Sequence, residues 1–150
     1  MLRGLILFIL FTQVMAGRWG QLCDGNPTNR VRGKDRYGRG EYGAPRGRRT
    51  HLGVDVICSD GSIVHAPFTG RMVRQLNPFG NNNAIDNGAM LEGSGYCVKM
   101  FPITAQRYTG SVTKGEVIGR LLNIQDVYPG MISHVHIQMC DTSINPTPYL

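Results

Sequence analysis

The stretch His134-Val-His-Ile-Gln-Met139 alternates polar and apolar side chains residue by residue. A β-strand sorts such a run into two faces, because successive side chains point to opposite sides. His134 and His136 then share one face while Val135 and Ile137 point into a core. Their Cα atoms would lie roughly 7 Å apart at a strand rise of about 3.4 Å per residue, so both imidazoles can reach one cleft. The chain must therefore supply a sheet and a polar cleft beside it.

Twenty glycines, short β-branched runs and no sustained 3.6-residue period extend that reading to the whole chain. Predicted strands cover 53–57, 62–66, 70–75, 89–92, 96–101, 116–122 and 132–139. Glu92-Gly-Ser-Gly95 is a hairpin turn between two of them, and the Asn- and Gly-rich residues 76–88 form a long surface loop. The expected fold class is mainly β: a single compact domain over 17–150, with a loop-rich basic arm at 17–50.

Residues 1–16 have the pattern of a signal peptide. Arg3 precedes the apolar run Leu5–Phe11, which is too short to span a bilayer, and Val14-Met-Ala16 offers small residues for cleavage. Cleavage after Ala16 would leave 134 of the 150 residues, enough for one core. No later stretch is apolar enough to cross a membrane, so the expected product is secreted and extracellular, with no membrane insertion. Asn26-Pro-Thr28 and Asn145-Pro-Thr147 carry proline at the position that blocks N-glycosylation.

Cys23, Cys58, Cys97 and Cys140 are an even, widely spaced set, which in an exported domain reads as two disulfides. No Cys-x-x-Cys pair favours a thiolate metal site instead. Three pairings are open, and spacing alone does not choose among them.

Cleavage would leave fifteen of the sixteen Lys and Arg against ten acids, a net charge of about +5. Eight of the fifteen fall between Arg30 and Arg49, interleaved with glycines. Such a run is either a flexible basic arm that meets heparan sulfate or other acidic glycans, or a plain solvated loop. Nucleic acid is not an expected partner.

His51-Leu-Gly-Val-Asp55 supplies the other candidate ligands. In an ideal strand His51 and Asp55 would stand about 13 Å apart, too far to share an ion with bonds of about 2.0–2.2 Å. A helix would bring them together, but Gly53, Val54, Val56 and Ile57 argue against one. The solution is a bend before or at Gly53, and a bulky residue there should weaken the site. His65, alternating with Val64 and Ala66, is assigned no metal role.

His51-x-Gly53-x-Asp55 is followed by Gly61, Val64, Ala66, Gly70 and Val73, then Lys114-Gly-Glu116-x-Ile118-Gly119, then His134-x-His136. In that order these residues resemble the lysostaphin/LytM-type zinc endopeptidases, over most of residues 51–137. The resemblance implies an antiparallel sheet core of that peptidase type. It also implies one Zn²⁺ held by His51, Asp55 and His136, with His134 close by as the acid–base residue of an active member. Disulfides Cys23–Cys58 and Cys97–Cys140 follow from it too. A bridge over loops of this size contributes roughly 3–4 kcal/mol.

Within that superfamily the chain is similar to a branch of secreted chemotactic factors. Ala66-Pro-Phe-Thr-Gly70, Cys97-Val-Lys-Met-Phe101, Val127-Tyr-Pro-Gly130, Ser133-His-Val-His136 and Tyr149-Leu150 carry this likeness. It implies a cytokine-like factor for leukocytes, neutrophils above all, in innate immunity, with cell-surface receptors of the C-type lectin or receptor tyrosine kinase class. Some relatives carry a third disulfide at positions that match Lys34 and Arg39 here, which implies a looser arm in this chain. The peptidases use a histidine in a Tyr-x-His-Leu stretch that matches Met100-Phe-Pro-Ile103. Pro102 has no side-chain donor or acceptor, so a non-enzymatic chain is expected, with an active endopeptidase on Gly-rich peptides or bacterial cross-bridges as the alternative.

Overall fold

The computed structural model describes residues 18–150, so the expected signal peptide at 1–16 lies outside the described residues. The chain forms β1 (Pro45–Arg46), β2 (Arg49–Thr50), β3 (Val54–Ile57), β4 (Ile63–His65), β5 (Gly70–Leu76) and β6 (Gly88–Gly93). After these come β7 (Tyr96–Phe101), β8 (Ile103–Ala105), β9 (Gly110–Val112), β10 (Val117–Leu121), the single helical turn α1 (Ile124–Val127) and β11 (His134–Met139). A six-stranded sheet runs β3-β11-β7-β6-β5-β9, a three-stranded sheet β4-β10-β8, and β1-β2 is a separate hairpin. All of these pairings are antiparallel.

Alternation explains the core. Val54, Val56, Val98, Met100, Val135 and Ile137 point inward from β3, β7 and β11 and are fully buried. They join Val64, Ile103, Ile118 and Leu121 of the smaller sheet in one cluster. Burying each such side chain contributes roughly 1.5–3 kcal/mol. The opposite face of the same strands is thereby free for polar groups. Gly93 pairs with Tyr96 across the Ser94-Gly95 turn, where both turn residues have positive φ, at 52° and 85°. That is the turn geometry whose twist matches a hairpin.

All seven strands expected from sequence are present, with bounds shifted by a few residues. The largest shift is at β11, which starts at His134 and not Ile132. Ile132 N–H donates to the Asp35 side chain at Oδ2, 2.8 Å away, instead of to a strand, and Ser133 keeps only one ladder-type bond, accepting from Cys58 N–H at 3.0 Å. The four short strands β1, β2, β8 and β9 carry too few residues to show a period. The 76–88 loop is organised around buried Asp86, whose two oxygens accept from the backbone N–H groups of Phe79, Gly80, Asn81 and Asn82 at 2.8–3.2 Å.

The basic arm is packed where it meets the sheets. Residues 22–40 run as a strap, with 22–32 along the edges of both sheets and 32–40 folded over Asp55 of β3. Cys23 bridges to Val64 of β4, and Val31 bridges to Val56 of β3. Buried Asn26 clamps the strap, with its amide donating to Arg30 C=O and Ile57 C=O, both at 3.0 Å. Asn29 accepts from Leu22 N–H through Oδ1 at 2.9 Å and donates its amide to Gly20 C=O at 3.1 Å. These side-chain bonds cover sheet edges that would otherwise present unpaired backbone groups. The structure contains the disulfides Cys23–Cys58 and Cys97–Cys140, with Cα separations of 5.6 and 5.4 Å. The first secures the strap to the end of β3, and the second ties β7 to the end of β11.

Candidate metal centre

Register places the site. On the outer face of the large sheet, Asp55 of β3, His136 of β11 and Phe101 of β7 are direct cross-strand partners in one row. Residues opposite each other across a ladder share a face, so His136 sits between a carboxylate and an aromatic ring. Phe101 stacks on His136 with ring centroids 4.3 Å apart.

His51 comes from outside the ladder. The chain bends at Gly53, where β3 has not yet begun, and this returns His51 over Asp55. His51 N–H donates to Ala44 C=O, and Gly43 N–H donates to His51 C=O, both at 2.8 Å. A Cβ on Gly53 would lie 2.6 Å from Ile137 O and 2.7 Å from His136 Nε2, so the bend needs glycine for room.

Three potential ligand atoms meet. His51 Nε2 is 3.0 Å from His136 Nδ1 and 3.2 Å from Asp55 Oδ1, and His136 Nδ1 is 3.1 Å from Asp55 Oδ1. His51, Asp55 and His136 are thus a group that can hold a metal ion, and all three are buried. Bonds of about 2.0–2.1 Å to a tetrahedral ion set ligand atoms roughly 3.3 Å apart, close to this triangle. The protons are arranged for it. His51 Nδ1–H donates to Glu41 C=O at 3.0 Å, and His136 Nε2–H donates to Gln138 Oε1 at 2.8 Å. Each imidazole therefore turns its lone pair inward, and such outer partners fix the tautomer of a metal-binding histidine. Two lone pairs and a carboxylate oxygen converging at 3 Å call for a cation.

Asp55 uses its second oxygen differently. Arg32 Nη1 donates to Asp55 Oδ2 at 2.9 Å, and His134 Nε2 lies 3.5 Å from the same oxygen. Burial opposes ionisation of Asp55. The polar contacts of Asp55 with His136, His51 and His134 outweigh it and hold the carboxyl far below its ordinary range. His134 Nδ1–H donates to Ile132 C=O at 2.7 Å, which aims Nε2 towards Asp55. Burial lowers the His134 pKa, with the Arg32 and His136 charges adding to that, against the pull of Asp55 and the Ile132 bond.

A cleft of about 440 Å³ opens beside these groups. Its walls are largely apolar and include Phe79, Ile85, Phe101, Pro102, Tyr128 and Met131, with Arg46 at one side. Pro102 thus faces the centre. His65 stands apart, bonded to Gly115 O at 2.9 Å and Asp24 Oδ1 at 2.5 Å.

Sequence patterning does not mark Arg32. It is one of eight basic residues in the 30–49 run, yet it alone among them is fully inside, 3% exposed. Its fork grips Asp35 through Nε at 3.0 Å and Nη2 at 2.7 Å while Nη1 reaches Asp55. The one available signal was Asp35 three residues on, a spacing that many solvated pairs share.

No family model matches the chain. It is 50% identical to leukocyte cell-derived chemotaxin-2 of Mus musculus over 146 residues, covering 97% of this chain and 96% of that protein. The Bos taurus protein of the same name is 49% identical over the same shares. Myeloid protein 1 of Gallus gallus is 51% identical over 135 residues, which are 88% of this chain but 41% of that one. Among solved structures, Csd3 of Helicobacter pylori has a TM-score of 0.58 at 20% identity, covering 89% of this chain and 33% of that chain. A Pseudomonas aeruginosa chain described as a peptidase M23 has a TM-score of 0.50 at 17% identity, covering 96% and 60%. The structural likeness establishes a peptidase-type fold, of which this chain spans a third to three fifths of the solved neighbours' length.

Proposed function

The chain belongs to the leukocyte cell-derived chemotaxin-2 family, and from that premise we propose that it is a secreted, zinc-binding, cytokine-like factor that attracts leukocytes. Neutrophils are its main target, reached through cell-surface receptors of the C-type lectin or receptor tyrosine kinase class. It keeps a peptidase-type fold without peptidase turnover. Two disulfides fit an extracellular protein. Among the described residues no helix is long and apolar enough to cross a membrane.

Pro102 in the cleft wall carries the non-enzymatic reading. Held by His51, Asp55 and His136, zinc would supply a Lewis acid and lower the pKa of a water in its fourth position to about 7. Hydrolysis also needs positioned side chains that take a proton and steady an oxyanion. His134 offers one such group, at Nε2. The position that a second histidine fills in the peptidases holds a proline ring. Two other polar groups nearby are committed: Tyr37 donates its hydroxyl proton to Pro129 C=O at 2.9 Å, and Arg32 is spent on Asp35 and Asp55. Absence of one positioned group commonly costs about 10²–10⁴ in rate.

A zinc endopeptidase is the second reading, favoured by the inward Nε2 of His134 and by Tyr128 in the cleft wall. The exposed Arg48 and Arg49 at the β1-β2 hairpin support contact with heparan sulfate or another acidic glycan.

One oxidised preparation tests all of this. We expect one zinc per chain, no cleavage of oligoglycine and a bell-shaped leukocyte migration response. Zinc-dependent cleavage that disappears in His134→Ala would replace the proposed function with the enzyme. Migration unchanged across a wide dose range would sink the chemotactic reading.

A further inference from the structure

We infer that Arg32 is a positioning residue of the metal centre, and that through it metal binding and docking of the 30–40 strap are one coupled equilibrium. This rests on the reading that His51, Asp55 and His136 hold zinc.

Asp55 is gripped by the strap on three sides. Arg32 N–H donates to Asp55 C=O at 2.8 Å, Asp55 N–H donates to Gly40 C=O at 2.9 Å, and Arg32 Nη1 donates to Oδ2 at 2.9 Å. Gly40 N–H closes the loop on Arg32 C=O at 3.2 Å. With Oδ2 held by a rigid guanidinium fork, Asp55 presents Oδ1 alone to His51 and His136. A one-oxygen carboxylate keeps the ligand count at three protein atoms, as a tetrahedral ion with an open position needs.

The same guanidinium reaches the other ligand strand. Asp35, held by Arg32 at Nε and Nη2, accepts from Ile132 N–H through Oδ2 at 2.8 Å, and Ile132 C=O accepts from His134 Nδ1 at 2.7 Å. The strap therefore sets both the carboxylate and the strand start from which His134 and His136 project. In the other direction, a cation bound there would hold together two imidazole lone pairs and Oδ1, which stand 3.0–3.2 Å apart. When the cation leaves, those three atoms repel, Asp55 relaxes, and Arg32 loses one of its two anchors. Coupling of this kind is reciprocal: whatever the docked strap adds to metal affinity, the metal adds to strap docking.

Packing leaves no slack to absorb the movement. A Cβ on Gly40 would lie 2.6 Å from Arg32 Cβ, 2.8 Å from Arg32 O and 3.0 Å from Asp55 Cβ. Gly40→Ala therefore perturbs the strap by crowding Arg32 and Asp55 at their Cβ atoms, while every charged group and ligand side chain stays in the sequence. Arg32→Lys keeps the charge and loses the fork.

Two measurements on the mature, oxidised chain decide the matter: zinc affinity by competition with a chromophoric chelator, and amide hydrogen exchange with and without zinc. In the wild type, chelation should speed exchange at Arg32, Gly40 and Asp55 by about tenfold or more, with β6 and β7 amides little changed. Arg32→Lys and Gly40→Ala should each weaken zinc by about 10–100-fold and flatten the zinc dependence of strap exchange. Cobalt in Arg32→Lys should show a changed visible spectrum, because Asp55 can then offer both oxygens. Strap exchange that ignores zinc in the wild type, or wild-type zinc affinity in both variants, overturns the inference alone. A wild-type chain that binds no zinc overturns the metal reading and this inference with it. If Arg32→Lys does not fold, wild-type exchange and Gly40→Ala still decide.

Discussion

Gly53 passes so close to His136 that a Cβ on it would sit 2.7 Å from the imidazole Nε2. That contact joins the two halves of the metal site, because the bend that returns His51 is also the backbone against which His136 lies. Gly53→Ala should destabilise the protein by about 1–3 kcal/mol through overpacking, and Gly53→Val by more. Because the displaced ring carries one of the three proposed ligand atoms, zinc affinity should fall by about tenfold or more in Gly53→Ala, read by chelator competition. A variant with unchanged affinity would show that the ring has room to shift.

Zinc should stabilise the fold by mass action. At free zinc about 100 times the dissociation constant, the gain is about 2.7 kcal/mol, on the order of 10 °C in melting temperature for a chain of this size. Thermal unfolding across a series of buffered zinc concentrations checks this, and a midpoint independent of zinc would refute it.

His134 and His136 share a strand face but not a role. His136 lies 3.1 Å from Asp55 Oδ1 inside the ligand triangle, whereas His134 Nε2 is 3.5 Å from the other oxygen. His136→Ala should abolish measurable zinc binding, and His134→Ala should weaken it by less than about tenfold, as an outer contact would. Equal losses in the two variants would make His134 a fourth ligand.

Pro102 sets the catalytic prediction. If the missing group at this position is what silences hydrolysis, Pro102→His should produce slow, zinc-dependent cleavage of oligoglycine where the wild type shows none. A gain on the order of 10² above background is the scale for one restored acid–base group. Cleavage by the wild type, undiminished in His134→Ala, would point to a different catalytic group.

Acid should unfold the strap side of the molecule. Burial tends to raise the Asp35 carboxyl, but hydrogen bonds from Arg32, Ile132 and Tyr37 pull it down to about 2. A carboxyl depressed in the folded state contributes stability that is complete above its unfolded pKa of about 4 and is lost as pH falls towards 2. Asp55 is depressed further, so it adds to the same slope. His134, lowered mainly by burial, is neutral in the fold and begins to oppose folding as pH drops below about 6.5. Urea midpoints between pH 7 and 2 should fall progressively, and Asp35→Asn should flatten the steepest part, between about pH 4 and 2. An unchanged slope in that variant would remove Asp35 from the account.

Much of the sheet is legible in the chain because alternation is a local property. Val135 and Ile137 must oppose His134 and His136 wherever the strand lies, and the reach of a ligand bond alone requires the bend at Gly53. The three-residue strands β8 and β9 escape this logic, since Ile103–Ala105 and Gly110–Val112 are too short to show a period. They become strands only because β10 and β5 offer them open edges.

By itself, the sequence determined the seven longer or flanked strands, their faces and the donor atoms available to an ion. It also determined that position 102 carries no proton donor or acceptor. Only the tertiary structure decided that residues 22–40 of the basic arm pack as a strap, and that one of its arginines reaches Asp55. The physical reason is that burying a guanidinium is favourable only where carboxylates from distant parts of the chain meet it. Arg32, Asp35 and Asp55 meet because the strap pairs with β3, a long-range event that no local pattern at 30–40 encodes.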